Sequence, residues 1–184
     1  ALFMALMGME STELTIADIG TGTGLLAFAA LNLWPRAHAI ASDIDPVAVE
    51  ISADNARANG VLLGSGAGKL ALVTAAGADH AAIVGRAPYD LLIANILAGP
   101  LIELAPALCA LVEDGGTIVL AGLLDGQADA VLAAYRAQGM RLAERSDRGD
   151  WPTLRLRKRP RIGWKRPQRL RANARGEAPG FGSI

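Results

Sequence analysis

The chain has almost no cysteine and no long apolar run, and each absence excludes a class of protein. Cys109 is the only cysteine among 184 residues, which excludes an intrachain disulfide and a metal cluster held by several cysteines. No apolar run reaches the roughly 20 residues that a membrane-spanning helix needs. Residues 1–7 are apolar but lack the basic flank and cleavage site of a secretory signal, and we expect a core-facing helix there. We therefore expect a cytoplasmic protein that has no contact with a membrane.

The chain carries no net charge, yet its charges are unevenly distributed. Residues 1–150 hold 8 Lys and Arg against 17 Asp and Glu, a net charge of −9. Residues 151–184 hold 10 Lys and Arg against one acid, Glu177, a net charge of +9. From Arg159 onward, proline and glycine interrupt every periodic pattern and apolar residues are sparse. We predict one domain over residues 1–158 and a basic, largely disordered tail over residues 159–184.

The tail has the composition of a segment that contacts nucleic acid. Its Arg and Lys side chains can neutralise phosphates. Trp164 lies among them, and an aromatic ring can stack on an unpaired base. The alternative is a solvated extension that binds nothing, and both interpretations fit the composition.

Strand and helix patterns alternate along the first 158 residues. The predicted strands cover residues 14–19, 37–42, 69–74, 89–94, 117–121, 140–145 and 153–156. The predicted helices cover residues 25–33, 46–59, 101–112 and 125–138. This alternation predicts an α/β fold with a doubly wound, mostly parallel, seven-stranded Rossmann-like sheet. The last two strands have no helix between them, so we expect them to pair antiparallel at the edge of the sheet.

A glycine-rich turn follows the first predicted strand and precedes the first predicted helix. It reads Asp18-Ile19-Gly20-Thr21-Gly22-Thr23-Gly24, and this arrangement lets a backbone approach a nucleotide-like ligand closely. A dinucleotide fingerprint would need glycine at position 25, where the chain has Leu25. We expect Gly20 and Gly22 to line a cofactor site. Asp18 can reach the ammonium group of a ligand that has an amino-acid end.

Two further segments end neighbouring strands with polar residues. Asp43 ends the second strand about 20 residues after the glycine turn, the spacing at which an acid accepts hydrogen bonds from ribose hydroxyls. Asp45 precedes Pro46 and is predicted to cap the next helix. Asn95 follows the buried fourth strand. Its carbonyl oxygen can accept a hydrogen bond from a substrate amine, or the residue can cap the following helix, and the two are equally supported.

Together these segments resemble the class I S-adenosylmethionine-dependent methyltransferases, and more narrowly the ribosomal protein L11 methyltransferase family. The matching stretches are DIGTGTG at 18–24, SDIDPVAV at 42–49, NARANGV at 55–61, ANILAGPLIELAP at 94–106, EDGGTIVLAGLL at 113–124 and WPTLRLR at 151–157. The resemblance implies methyl transfer from S-adenosylmethionine to amino groups of ribosomal protein L11. It also implies that Gly20, Asp43 and Asn95 bind the cofactor and that Asn95, as the catalytic residue, faces the reactive centre. Asp18 and Gly22 join this set by analogy with the wider class.

The chain departs from the family pattern at both ends. The family has an N-terminal substrate-recognition domain, and a Thr-bearing segment before the first helix that contacts the cofactor, and we expect both to lie upstream of this chain. The basic tail has no counterpart in the family, and contact with ribosomal RNA would suit a ribosomal substrate. We expect a monomeric catalytic-domain fragment without a metal ion. His38 and His80 are expected to be structural or surface residues.

Three other functions fit parts of the pattern. The first is a methyltransferase acting on another amine or amide, since an Asn at this position suits several nitrogen substrates. The second is a truncated module that binds cofactor or RNA without turnover. The third is a nicotinamide-dependent dehydrogenase domain, which Leu25 and the lack of a catalytic set of His, Lys and Tyr disfavour.

Overall fold

The structure is a computed structural model that describes residues 13–159. The helix predicted over residues 1–7 lies outside the described residues. The predicted tail lies outside them as well, apart from Arg159. Within the described part of the chain, no helix is long and apolar enough to cross a membrane.

Seven strands form one sheet in the order β3-β2-β1-β4-β5-β7-β6. The strands are β1 Thr15–Ile19, β2 His38–Asp43, β3 Lys69–Thr74, β4 Tyr89–Asn95, β5 Val112–Ala121, β6 Met140–Arg148 and β7 Trp151–Lys158. The first five pair in parallel, whereas β7 runs antiparallel to both of its neighbours, β5 and β6. The predicted fold class is confirmed. Strand β7, the last within residues 13–159, lies inside the sheet, and β6 forms the edge.

Five α-helices connect these strands. They are α1 Leu25–Leu33, α2 Pro46–Ala58, α3 Ala81–Val84, α4 Ala98–Leu111 and α5 Ala128–Ala137. Helix α1 matches its prediction, and α2 is capped as predicted, because the Asp45 side chain accepts a hydrogen bond from Val47 N at 2.9 Å. Helix α4 begins three residues earlier than predicted, because Pro100 is tolerated in the first turn of a helix. The short α3 was not predicted, and its N-cap is His80, whose Nδ1 accepts from Ala82 N.

Other predicted boundaries are wrong as well. Strands β6 and β7 are both longer than predicted. The turn expected at Asp114-Gly115-Gly116 lies inside β5, which begins at Val112 and pairs with β4 through an irregular register between Tyr89 and Leu91. The helix expected from residue 125 begins as a 3₁₀ turn at Asp125–Gln127 before α5.

The sheet is covered by a hydrophobic core on each face. On one face, Ile16 and Ile93 pack with Ala27 and Ala30 of α1. On the other face, residues of β4 and β5 pack with α4 and α5, and the buried members include Leu92, Ile118, Leu101, Leu108 and Tyr135. The central run Leu91-Leu92-Ile93 is fully buried, as expected for a strand covered on both sides. This packing fixes the strand ends from which the candidate site is built.

Candidate functional site

The three predicted segments meet at the carboxyl edge of the sheet. In the parallel register, Ile19 of β1 pairs with Ser42 of β2 on one side and with Ala94 of β4 on the other. Gly20 of the glycine turn, Asp43 and Asn95 directly follow these three paired residues in the sequence. In an open α/β sheet, ligands bind in the crevice outside the carboxyl ends of the strands.

The glycine turn is shaped by close packing at two of its three glycines. Gly20, Gly22 and Gly24 all have left-handed φ angles, of 75°, 57° and 86°. A side chain at Gly20 would overlap Ile96 Cγ2, and one at Gly24 would overlap the Phe28 ring. At Gly22 an added Cβ would meet no atom within 4 Å. Packing therefore confines the two ends of the turn and leaves its middle open.

Most backbone N–H groups of the turn are already committed to protein acceptors. Gly20 N and Thr21 N both donate to the Ser42 carbonyl, at 2.8 and 2.9 Å, and Gly24 N donates to the Thr21 carbonyl. Gly22 N donates to Asp43 Oδ2 at 2.8 Å. A loop that binds a pyrophosphate presents free N–H groups to the anion. Among the N–H groups of the turn, only that of Thr23 has no acceptor in the described residues, so the turn presents no such array, which agrees with the absence of a glycine at position 25.

Asp43 joins the glycine turn to the start of α2. Its Oδ2 accepts from Gly22 N, and its Oδ1 accepts from Asp45 N at 3.1 Å. The side chain is half-buried. A carboxylate offers about four acceptor positions, so about two remain available to hydroxyl donors. The predicted ribose contact is compatible with this geometry.

Asp18 is buried beneath the turn, and it caps α1 from a distance. It is 1% exposed, and its Oδ2 accepts from Thr21 Oγ1 at 2.7 Å and from Ala27 N, in the first turn of α1, at 3.2 Å. Its Oδ1 has no hydrogen-bond partner among the described residues. Burial raises the pKa of this carboxyl to about 6, although the bonds from Thr21 and Ala27 oppose the shift. The carboxylate is thus both a structural acceptor and a buried charge without a full set of partners.

Asn95 is the last residue of β4 and is exposed. It does not cap α4, because the N-cap is Leu97 and no side chain bonds there. A Cβ at Gly122 would lie 3.0 Å from Asn95 Oδ1 and 2.6 Å from the Ile96 carbonyl oxygen. The amide therefore lies over a position where only glycine leaves room, and its contact with a substrate amine stays a prediction.

Two residues of α2 contact the turn, although sequence reasoning did not mark them. The buried Ser52 Oγ donates to the Gly22 carbonyl at 2.8 Å, and Asn55 Nδ2 donates to the Thr23 carbonyl at 3.0 Å. The available signals were a polar residue on the buried side of a helix and the first Asn of the NARANGV stretch. Neither signal indicates which backbone group the side chain meets.

The remaining polar candidates lie away from this edge. His38 is the first residue of β2, at the opposite end of that strand from Asp43. Within residues 13–159 no group of His, Cys, Asp and Glu could hold a metal ion. A surface cavity of about 620 Å³ lies beside α1, and its lining includes Leu25, Phe28 and Leu62 as well as Thr23 and Asn55. It contains none of the predicted site residues, so we place the site at the strand ends.

Comparison with known proteins identifies relatives of this chain. The model of a protein family described as ribosomal protein L11 methyltransferase matches residues 3–159. The ribosomal protein L11 methyltransferase of Brucella suis is 44% identical over 140 residues, which are 76% of this chain and 47% of that protein. That of Rhizobium meliloti is also 44% identical, over 141 residues, covering 76% of this chain and 46% of that protein. The chain thus spans about half the length of the curated relatives it matches.

Solved structures share the fold. A ribosomal protein L11 methylase from Lactobacillus delbrueckii subsp. bulgaricus superposes with a TM-score of 0.70 at 28% identity, over 85% of this chain and 77% of that chain. An RNA methyltransferase from Salinibacter ruber, solved in complex with S-adenosyl-L-homocysteine, superposes with a TM-score of 0.60 at 17% identity, over 81% and 83% of the two chains. At that identity the second likeness shows the fold alone.

Proposed function

Since the chain belongs to the ribosomal protein L11 methyltransferase family, we propose that it is the catalytic domain of an S-adenosylmethionine-dependent protein methyltransferase that modifies amino groups of ribosomal protein L11. The observation that carries this proposal is the convergence of the glycine turn, Asp43 and Asn95 at one edge of the sheet. The names of the relatives support ribosomal protein L11 as the substrate. The spacing and packing of the site residues support S-adenosylmethionine as the cofactor.

The side chains present suit S-adenosylmethionine better than a dinucleotide. Asp43 retains acceptor capacity for the ribose hydroxyls, and the unpartnered Oδ1 of Asp18 suits the ammonium group of the methionine end, directly or through water. Gly20 and Gly22 would line the path of the ligand backbone. The committed N–H groups of the turn leave no cradle for a pyrophosphate. When bound, the cofactor supplies an electrophilic methyl group on a sulfonium centre.

The residues of this chain would act chiefly by positioning. Asn95 Oδ1 accepts a hydrogen bond from the substrate amine and aims its lone pair. A protonated amine cannot attack, so the amine must lose its proton before or during binding. Neither histidine is placed to take that proton, because His38 begins β2 and His80 caps α3. Alignment and proximity therefore carry the rate enhancement at this site.

We also propose that the basic tail contacts ribosomal RNA and that the chain is a cytoplasmic monomer. Ten of the 18 Lys and Arg residues fall within residues 151–184, which supports contact with phosphates. Light scattering after size-exclusion chromatography should give a mass near 19.1 kDa. A mass of twice that value would contradict the monomer.

Methyl transfer to L11 tests the proposed reaction. We expect radiolabel from the methyl group of S-adenosylmethionine to appear on purified L11 when this chain is added. The matched control is Asn95→Ala, for which we expect the rate of methyl transfer to fall at least tenfold, and by a larger factor than the affinity for the cofactor. Label on other amines but not on L11 would favour a different amine substrate. Cofactor binding without any labelled product would favour a non-catalytic binding module.

A further inference from the structure

Helix α2 holds the glycine turn through two adjacent carbonyl groups. Ser52 Oγ binds the Gly22 carbonyl at 2.8 Å, and Asn55 Nδ2 binds the Thr23 carbonyl at 3.0 Å. Residues three apart on a helix lie on the same face, so one side of α2 presents both donors. Ser52 is fully buried. Two successive peptide groups of the turn are therefore fastened to a helix that begins three residues after Asp43.

Gly22 needs such bonds because packing does not confine it. An added Cβ at this position would meet no atom within 4 Å, in contrast to Gly20 and Gly24. Glycine has more backbone freedom than any other residue, and an open glycine keeps that freedom unless hydrogen bonds remove it. Here Asp43 holds the N–H group of Gly22, and Ser52 holds its carbonyl. The same residue is thus held from both sides.

We propose that Ser52 and Asn55 are positioning residues of the cofactor site, which act by holding Gly22 and Thr23 in the conformation that receives S-adenosylmethionine. This inference rests on the proposed function, because that function makes the turn a cofactor site. A turn that is ordered before binding loses less conformational entropy when the ligand arrives, and affinity rises accordingly. Neither residue needs to touch the cofactor.

The bond from Ser52 also fixes the direction of a donor. A trans peptide directs its C=O and N–H groups to opposite sides. Because the Gly22 carbonyl faces Ser52, the Thr23 N–H faces away from it. That N–H donates to no acceptor among the residues that the structure describes, unlike those of Gly20, Thr21, Gly22 and Gly24. We call the two bonds from Ser52 and Asn55 to the turn the clamp. The clamp therefore leaves the turn with one uncommitted donor of defined direction.

Asn55→Asp and Asn59→Asp form a matched pair that tests the clamp. Both substitutions remove an amide donor and add one negative charge in the same part of the chain. Asn55 donates to the turn, whereas Asn59 donates to the Asn55 carbonyl of the helix. By calorimetry we expect Asn55→Asp to weaken binding of S-adenosylhomocysteine about three- to tenfold, and Asn59→Asp to change it by less than about twofold. Thermal unfolding should shift equally in both variants.

Ser52→Ala supplies the second test and needs no ligand. We expect it to weaken S-adenosylhomocysteine binding about three- to tenfold and to speed amide hydrogen exchange at Gly22 in the ligand-free protein. If the wild-type chain binds and both Asn55→Asp and Ser52→Ala bind as tightly, the clamp is overturned while the proposed function stands. If the wild-type chain does not bind, the proposed function fails. In that event, unchanged exchange at Gly22 in Ser52→Ala would overturn the clamp as well.

Discussion

Asp18 and Asp43 end neighbouring strands, yet their surroundings give the two carboxylates different roles. Asp18 is 1% exposed, and one of its carboxylate oxygens accepts hydrogen bonds from Thr21 Oγ1 and Ala27 N. Asp43 is half-buried, accepts hydrogen bonds from two backbone N–H groups, and can still accept further hydrogen bonds. The buried acid therefore organises the turn and the start of α1. The more exposed acid faces the crevice and is the better candidate for a neutral hydroxyl ligand.

The burial of Asp18 predicts a pH dependence of stability. Its folded pKa is raised from 3.8 to about 6 by desolvation, so the folded chain binds this proton more tightly than the unfolded chain. Its contribution therefore favours folding at low pH and is lost as the pH rises from about 4 to above 6. Asp18→Asn keeps an acceptor but cannot ionise. Relative to wild type, its free energy of unfolding should gain up to about 3 kcal/mol between pH 4 and pH 7.

Urea unfolding at the two pH values measures this gain. Bound S-adenosylhomocysteine should reduce it, because an ammonium group beside Asp18 favours the carboxylate. A difference between Asp18→Asn and wild type that is the same at pH 4 and pH 7 would show that the carboxyl titrates normally.

Gly122 and Gly139 allow backbone strain to be separated from crowding beneath Asn95. Both have left-handed φ angles, of 82° and 84°, but an added Cβ meets the Ile96 carbonyl at Gly122 and no atom within 4 Å at Gly139. We expect Gly139→Ala to cost about 1 kcal/mol from strain alone. Gly122→Ala should cost about 3 kcal/mol or more, because backbone atoms must also move. Chemical unfolding measures the free energy of unfolding of both variants. Equal decreases would show that the backbone below Asn95 can shift to accommodate a Cβ without loss of stability.

At the scale of elements, α2 links the ribose acid to the glycine turn. The helix begins at Pro46, directly after the segment that contains Asp43, and it returns Ser52 and Asn55 to the turn. Asp45 N also donates to Asp43 Oδ1, so the start of the helix and the acid are connected. A change at the first turn of α2 should therefore reach the site.

Removing the cap of α2 tests how much the start of this helix contributes to stability. Asp45→Ala should lower the free energy of unfolding by about 1 kcal/mol, because Val47 N loses its acceptor. The control is Asp54→Ala on the same helix, which breaks only an exposed ion pair with Arg57 and should cost less than about 0.5 kcal/mol. Circular dichroism during urea unfolding compares the two. Equal losses would indicate that the cap contributes nothing beyond a surface charge.

The sequence predicted the elements whose signals are local. Pro46 and Asn59-Gly60 mark the two ends of α2, and the run Leu91-Leu92-Ile93 marks a strand buried on both faces. The early start of β5 could not be predicted, because it depends on how Val112 pairs with Tyr89 of another strand. The same contrast holds for the candidate site. The pattern places Asp43 and Asn95 at strand ends, where the structure also has them, whereas the contact of Ser52 with a carbonyl 30 residues away has no local signal.

At the scale of the whole molecule, opposite charges are separated along the chain. The first 150 residues carry a net charge of −9 and the last 34 carry +9. A protein that neutralises phosphates binds nucleic acid with an affinity that falls steeply as salt increases. Under the proposed function, such an extension would bring the chain to a substrate that is assembled with RNA.

Deletion of residues 159–184 tests the role of the tail. At low salt we expect the shortened chain to bind a ribosomal RNA fragment at least tenfold more weakly, and with a shallower dependence on salt, than the full chain. Cofactor binding should be unchanged, because all the predicted site residues precede position 159. Fluorescence anisotropy with labelled RNA measures the affinity. An unaltered affinity would make the tail a passive extension.

The chain spans about half the length of its curated relatives, so cofactor binding by this half is the central question. Titration calorimetry with S-adenosylhomocysteine and, separately, with NADH answers it most directly. We expect one molecule of S-adenosylhomocysteine to bind per chain, NADH not to bind, and Asp43→Ala to weaken the binding of S-adenosylhomocysteine at least tenfold. Binding of NADH without S-adenosylhomocysteine, or an affinity untouched by Asp43→Ala, would contradict a methyltransferase site at this edge of the sheet.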